Sequence, residues 1–147
     1  MDVIGLLNSL TGNHLLLWKV VATTLVFLLA GAQVMLAARL WGASPFPPLP
    51  QKTAAVVHRW LGRATITLAI LVAISCIAGP AGPVSPLRVL LHSVFGTLAL
   101  LVLAAKLAIV KGVLRKGGNL LPLLGTSLFI ALAAIWATSV ADYVSST

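Results

Sequence analysis

The chain has 147 residues, of which 60% are hydrophobic and only 8% are charged, and its formal net charge is +8. The length is that of one domain, and so low a charged fraction excludes an ordinary water-soluble domain. The basic residues are not gathered in one run or on one helix face, so the positive charge does not indicate a nucleic-acid partner. A single cysteine, Cys76, excludes an internal disulfide and any multi-cysteine metal or iron–sulfur site within the chain.

Apolar segments of membrane-spanning length fill nearly all of the sequence. They run over roughly residues 15–41, 54–79, 86–110 and 119–143. Because every backbone polar group in hydrocarbon needs an internal partner, we predict an all-α fold. This fold is an antiparallel four-helix transmembrane bundle in which residues 1–147 form a single transmembrane domain. Four prolines keep the first loop, residues 41–52, out of helix and predict an extended strap.

The basic residues indicate the orientation in the membrane. Most of them lie in or beside the loops between segments 1 and 2 and between segments 3 and 4, namely Arg39, Lys52, Arg59, Arg63, Lys106, Lys111, Arg115 and Lys116. The positive-inside rule then predicts a multi-pass protein of the bacterial cytoplasmic membrane, with both loops in the cytoplasm and both termini outside. Lys106, near the inner end of segment 3, is expected to snorkel to the inner surface.

Two of the predicted helices carry the same short pattern near their N-termini. His58 is followed four residues later by Gly62, and His92 by Gly96. Four residues are about one helical turn, so each glycine lies beside its histidine on one helix face. An imidazole nitrogen next to a position without a side chain is a place where a flat cofactor can dock, which makes both histidines candidate metal ligands. The alternative is that the glycines permit close helix packing, with histidines that are interfacial or hydrogen-bonded to a neighbouring helix.

These two histidines are too far apart to bind one haem iron. Helices 2 and 3 are antiparallel, so His58 lies at the cytoplasmic side and His92 at the outer side, about 20 Å apart along the bundle. On the outer side, His14 is the candidate second ligand, and Arg88 is a candidate partner for a haem propionate. On the inner side, Met35 lies at a depth similar to that of His58, and packing is the alternative role for its side chain.

The sequence lacks the residues that several other functions require. The only acidic residues, Asp2 and Asp142, are expected at the outer surface, so no Asp or Glu lies in the membrane interior, which argues against a proton relay or a cation-coupled transporter. There is no evident nucleophile–base pair, no Gly-rich phosphate loop and no H-E-x-x-H pattern, so we expect no catalytic activity of its own. Gln33 is the one amide well inside the membrane and needs a partner in the bundle.

Several stretches resemble an uncharacterised family of small bacterial four-helix membrane proteins, seen mostly in actinobacteria. They are residues 18–23, 57–63, 88–93 and 134–139, together with Gln33 and the pair Ala105-Lys106. The family is similar in layout to transmembrane b-type cytochromes and ferric-reductase membrane domains, which implies a histidine-ligated haem b. Members of the family carry a histidine where this chain has Ser75. The resemblance therefore implies a second axial ligand from His14 or from another subunit.

Two functions are compatible with these observations. In the first, the chain is a small integral membrane subunit that holds haem b and transfers electrons within a larger membrane complex. In the alternative, it is a non-redox accessory subunit of a respiratory or photosynthetic complex, which packs, places lipid or quinone, or donates one axial histidine to a (bacterio)chlorophyll. An assembly factor or small-molecule carrier has no specific support. The expected partners are membrane lipid and other subunits of the complex or further copies of the chain.

Overall fold

The computed structural model describes residues 14–78, 86–113 and 118–146, together with Gly5, Ser9 and Gly12. These residues are helical apart from short loops, as the sequence predicts. The long helices are α1 (Leu15–Leu40), α2 (Gln51–Ala78), α3 (Pro86–Val110) and α4 (Leu121–Ser146), and a single 3-10 turn, Gly118–Leu120, leads into α4. Each of the four is long and apolar enough to cross a membrane, which confirms the predicted fold class.

The helix ends follow the turn-forming residues. α2 begins at Gln51, three residues earlier than predicted, because the Ala54 amide donates to the Pro50 carbonyl at 2.9 Å and closes the first turn directly after the loop's last proline. α1 ends at Leu40, and Gly42 just beyond it has a φ of 72°, a left-handed conformation that glycine adopts without strain. α4 ends three residues beyond the predicted bound of 143.

The helices pack in the spatial order α2–α1–α4–α3. Contacts join α1 to α2, α1 to α4 and α3 to α4, whereas α2 and α3 share no comparable interface. Packed neighbours are antiparallel. Along α1 and α4, for example, Thr24 meets Trp136 and Gly31 meets Phe129. The bundle is therefore open along one side, between α2 and α3.

Few side chains are buried, as expected for helices that are surrounded by lipid. In α3 and in the fourth span, which includes α4, only 6% of the most apolar stretch is buried inside the molecule. A small core joins Ala22 and Val26 of α1 to Val72 of α2. Apolar side chains that would be unfavourable in water are thus left to face hydrocarbon.

An aromatic stack holds α1 against α4. The Phe27 ring lies between those of Phe129 and Trp136, with centroid separations of 5.4 Å and 4.9 Å. The Trp136 indole N–H also donates to the Thr24 hydroxyl at 3.0 Å. This contact fixes the vertical register of α1 against α4, and α1 in turn supports α2.

The two ends of the bundle differ in charge. We call the end at which α1 and α3 finish the loop end, and the end at which α1 begins and α4 finishes the terminal end. Among the described residues, most of the basic side chains are at the loop end, where Arg39, Lys52, Arg59, Arg63, Lys106 and Lys111 are found. Lys19 and Arg88 are at the terminal end.

Candidate cofactor site

A cavity of about 400 Å³ lies on the open side of the bundle, between α2 and α3, with parts of α1 and α4 as its floor. Its wall is mostly apolar and is partly open to the outside of the bundle. The polar side chains in the wall are those of Thr23, Thr65, Cys76, His92, Ser93 and Thr97. A volume near 400 Å³ is within the range of about 300–1,000 Å³ that is typical of small-molecule sites.

His92 is half-buried on α3 and lines this cavity. Its Nδ1 lies 3.0 Å from the Thr138 hydroxyl oxygen on α4, and that hydroxyl also donates to the Ile135 carbonyl at 2.8 Å. A hydroxyl has a single hydrogen, so when it goes to Ile135, the oxygen accepts a hydrogen from His92 Nδ1. The neutral ring then carries its lone pair on Nε2. Histidines that bind metals commonly have one ring nitrogen oriented by a hydrogen bond of this kind.

The two glycines that follow the histidines have different surroundings. A Cβ placed on Gly96 would have no atom of another residue within 4 Å, and Gly96 lines the cavity one turn from His92. A Cβ placed on Gly62 would lie 3.4 Å from the Gln33 side-chain oxygen. Gly96 therefore leaves open space beside its histidine, whereas Gly62 lets the α1 amide pack closely against α2.

His58 lies outside this cavity, nearer the loop end. Its backbone carbonyl accepts a hydrogen bond from the Gln33 amide nitrogen at 2.8 Å, which supplies the partner that the sequence requires for Gln33. The His58 Nδ1 atom is buried and has no hydrogen-bond partner among the described residues.

The two histidines are well separated along the bundle. Gln33 on α1 is level with His58. Nine residues earlier on α1, Thr24 contacts Trp136 of α4. Trp136 is two residues from Thr138, the partner of His92. At 1.5 Å per residue this places the histidines about 17 Å apart in height, too far to bind one metal ion.

The other candidate residues also lie away from the cavity. His14 is exposed at the start of α1, makes no capping bond with its side chain and does not line the cavity. Met35 is 47% exposed on the outside of α1. Arg88 donates to the Ala141 carbonyl at 3.3 Å and so ties α3 to the end of α4. Ser75 is fully buried, donates to its own helix at the Val72 carbonyl and is also outside the cavity lining.

The described cavity lining thus contains one imidazole, that of His92. Within the described ranges, no three His, Cys, Asp or Glu side chains come together as they do in a metal site built from protein ligands alone. Sequence reasoning missed Thr138, which orients His92. A hydroxyl in an otherwise apolar segment was the available signal, but its partner depends on the rotation of α4 relative to α3.

Comparisons with known proteins identify a family without assigning a function. Residues 4–147, nearly the whole chain, match a family described as "Family of unknown function (DUF6529)". Comparison with curated proteins and with solved structures finds no match.

Proposed function

The chain belongs to this DUF6529 family, whose function is unknown, and we propose that it is a small subunit of a larger complex in the bacterial cytoplasmic membrane. In this proposal it holds a haem b between α2 and α3, with His92 as the axial ligand, for electron transfer. Both termini are outside. The observation that carries the proposal is an oriented imidazole, next to an open glycine position, in the wall of an apolar cavity.

The residues present fit part of what a haem requires. The macrocycle is flat and apolar, and the cavity wall between the helices is apolar, with small side chains at Ala69, Ala73 and Ala99. Arg88 lies one turn before His92 and places a cation near the terminal end, where a propionate would be neutralised. A bound haem would supply one-electron transfer. The chain's own contribution is to hold the imidazole in one tautomer and to exclude water from one face.

Apart from the Cys76 thiol, the cavity provides a single ligand, and this favours a site that is completed by a partner. Neither a second histidine nor a methionine is in the cavity lining. A second axial ligand would therefore come from another subunit, consistent with the expected membership of a larger complex. We also propose that the family is similar in layout to b-type cytochromes and occurs mostly in actinobacteria.

The alternative is a non-redox accessory subunit that places a quinone or supplies one axial histidine to a pigment. Ser93 and Thr97 line the same wall as His92, and neither hydroxyl makes a hydrogen bond within the described residues. The two hydroxyls are hydrogen-bond donors suited to the carbonyl oxygens of a quinone head group. A single axial histidine would also suit the magnesium of a (bacterio)chlorophyll.

Purification with analysis of the bound cofactor tests both functions. The protein is extracted from bacterial membranes in mild detergent, and a reduced-minus-oxidised spectrum is recorded. Haem predicts Soret and alpha bands that are lost in His92→Ala but kept in His14→Ala, the control outside the cavity. Organic extraction followed by chromatography detects a quinone or chlorophyll instead. A preparation with no bound tetrapyrrole or quinone, or equal haem content in the two variants, would refute the assignment of His92.

A further inference from the structure

Near the loop end, polar side chains from three helices lie at similar heights in the bundle. We call the group formed by Gln33, His58 and Lys106 the basic cluster. Gln33 of α1 donates to the His58 backbone carbonyl on α2, and the helix register places Lys106 of α3 about three residues, or about 5 Å, from the height of Gln33. Space for the group comes from Gly62 and from Gly125 on α4. A Cβ on Gly125 would lie 3.7 Å from the Lys106 ammonium nitrogen.

Lys106 does not snorkel in the way that the sequence predicts. If the pairing of His92 with Thr138 is continued along α3 and α4, Lys106 is level with residue 124, next to Gly125. Its ammonium nitrogen, which lies against Gly125, is therefore at the height of its own backbone and does not extend past Val110. The glycine on α4 removes the side chain that would otherwise force the lysine outwards.

Two polar groups of the basic cluster have no partner within the part of the chain that the structure describes. Among the described residues, Lys106 has no hydrogen bond or ion pair, and the His58 Nδ1 atom is buried without a partner. The sequence has only two acidic residues, Asp2 and Asp142. Asp142 is 17 residues beyond Gly125 on α4, which is about 25 Å along the helix. A cation held inside a membrane protein normally faces a counter-charge or a ligand pathway.

We infer that the basic cluster binds the phosphate group of an anionic lipid. Lys106 is four residues before the end of α3, a depth of about 6 Å, where the head groups of a bilayer meet the acyl chains. Lys106 and His58 are half-buried on α3 and α2, the two helices that border the open side of the bundle, where an acyl chain can lie against exposed apolar side chains. Basic pockets between transmembrane helices bind phosphate head groups in this way. Lys106 lies about one helical turn past Leu103, the last residue of α3 that lines the cavity. The phosphate site is therefore independent of any cofactor at His92.

Lipid titration in nanodiscs tests this site. The protein is placed in phosphatidylcholine nanodiscs, short-chain phosphatidylglycerol is added, and tryptophan fluorescence reports binding and the thermal midpoint. Lys106→Met is compared with Lys111→Met, which removes the same charge from an exposed position at the same end. Loss of one charge-assisted hydrogen bond predicts about tenfold weaker binding for Lys106→Met. Wild type and Lys111→Met should bind alike.

Two further arms make the result decisive. Lys106→Arg keeps the charge and should retain binding, so it separates loss of the site from loss of the fold. Inorganic phosphate, added to nanodiscs without phosphatidylglycerol, separates the two sources of the same group. Stabilisation by phosphate alone supports the phosphate site and assigns it to a soluble anion. Equal lipid responses in Lys106→Met and Lys111→Met, or no response in the wild type, would overturn the proposal.

Discussion

The contrast between Gly62 and Gly96 gives a sharp prediction, because the same substitution should destabilise the protein at Gly62 but not at Gly96. In Gly62→Leu the new Cβ lies 3.4 Å from the Gln33 side-chain oxygen, and the remaining side-chain atoms have to displace that amide. The hydrogen bond from Gln33 to the His58 carbonyl, now 2.8 Å long, is then lost. In Gly96→Leu the side chain enters open space on the cavity side.

The expected magnitudes follow from these contacts. Overpacking typically costs about 1–3 kcal/mol, and an interhelical hydrogen bond in a membrane protein contributes about 0.6 kcal/mol. Replacing a helical glycine returns about 0.8–1 kcal/mol of helix propensity. Gly62→Leu should therefore lower the free energy of unfolding by about 0.5–3 kcal/mol, whereas Gly96→Leu should leave it unchanged or raise it by up to about 1 kcal/mol.

Unfolding by sodium dodecyl sulfate in mixed micelles, followed by tryptophan fluorescence, measures this difference. Gly96→Leu serves as the matched control, since it adds the same side chain one turn after the other histidine. In the same preparation it should also reduce cofactor content, because it fills the cavity beside His92. If the two variants unfold at the same detergent fraction, the assignment of Gly62 to helix packing and of Gly96 to the cavity is wrong.

Two other contacts make separate predictions. Thr138→Val removes the hydroxyl that orients His92 and should weaken retention of a cofactor about 10–100-fold, measured by dilution in detergent. The control is Thr126→Val, which alters an exposed hydroxyl on the same helix and should have no effect on retention. Trp136→Phe keeps an aromatic ring in the stack but loses the indole hydrogen bond to Thr24, so the free energy of unfolding should fall by about 0.6 kcal/mol. A fall of more than about 3 kcal/mol would mean that the stack itself has been disrupted.

The sequence predicts the number and type of elements because lipid imposes a simple rule. Each apolar segment long enough to span the membrane becomes a helix. α2 begins at Gln51, directly after the last proline of the first loop. The requirement that Gln33 find a partner is also readable, since an amide in hydrocarbon cannot remain unpaired. These properties depend on local composition and on the solvent.

Helix neighbours and rotations are not readable in the same way. α2 and α3 are adjacent in sequence and carry the same His–Gly spacing, yet they do not pack together. Gly62 and Gly96 have the same local pattern, and only the tertiary arrangement gives one an amide and the other open space. Lys106 stays inside because α4 presents Gly125 at its height, which depends on the register of two separate helices.

The open side between α2 and α3 determines how a ligand would arrive. A molecule that reaches this side of a membrane-spanning bundle comes from the hydrocarbon phase, so its supply is set by partitioning into the bilayer and by lateral diffusion there. Occupancy should then scale with the mole fraction of the ligand in the lipid, and diluting the aqueous buffer at constant lipid should leave it unchanged. A binding constant expressed as an aqueous concentration would include the partitioning of the ligand into the bilayer as well as its affinity for the protein.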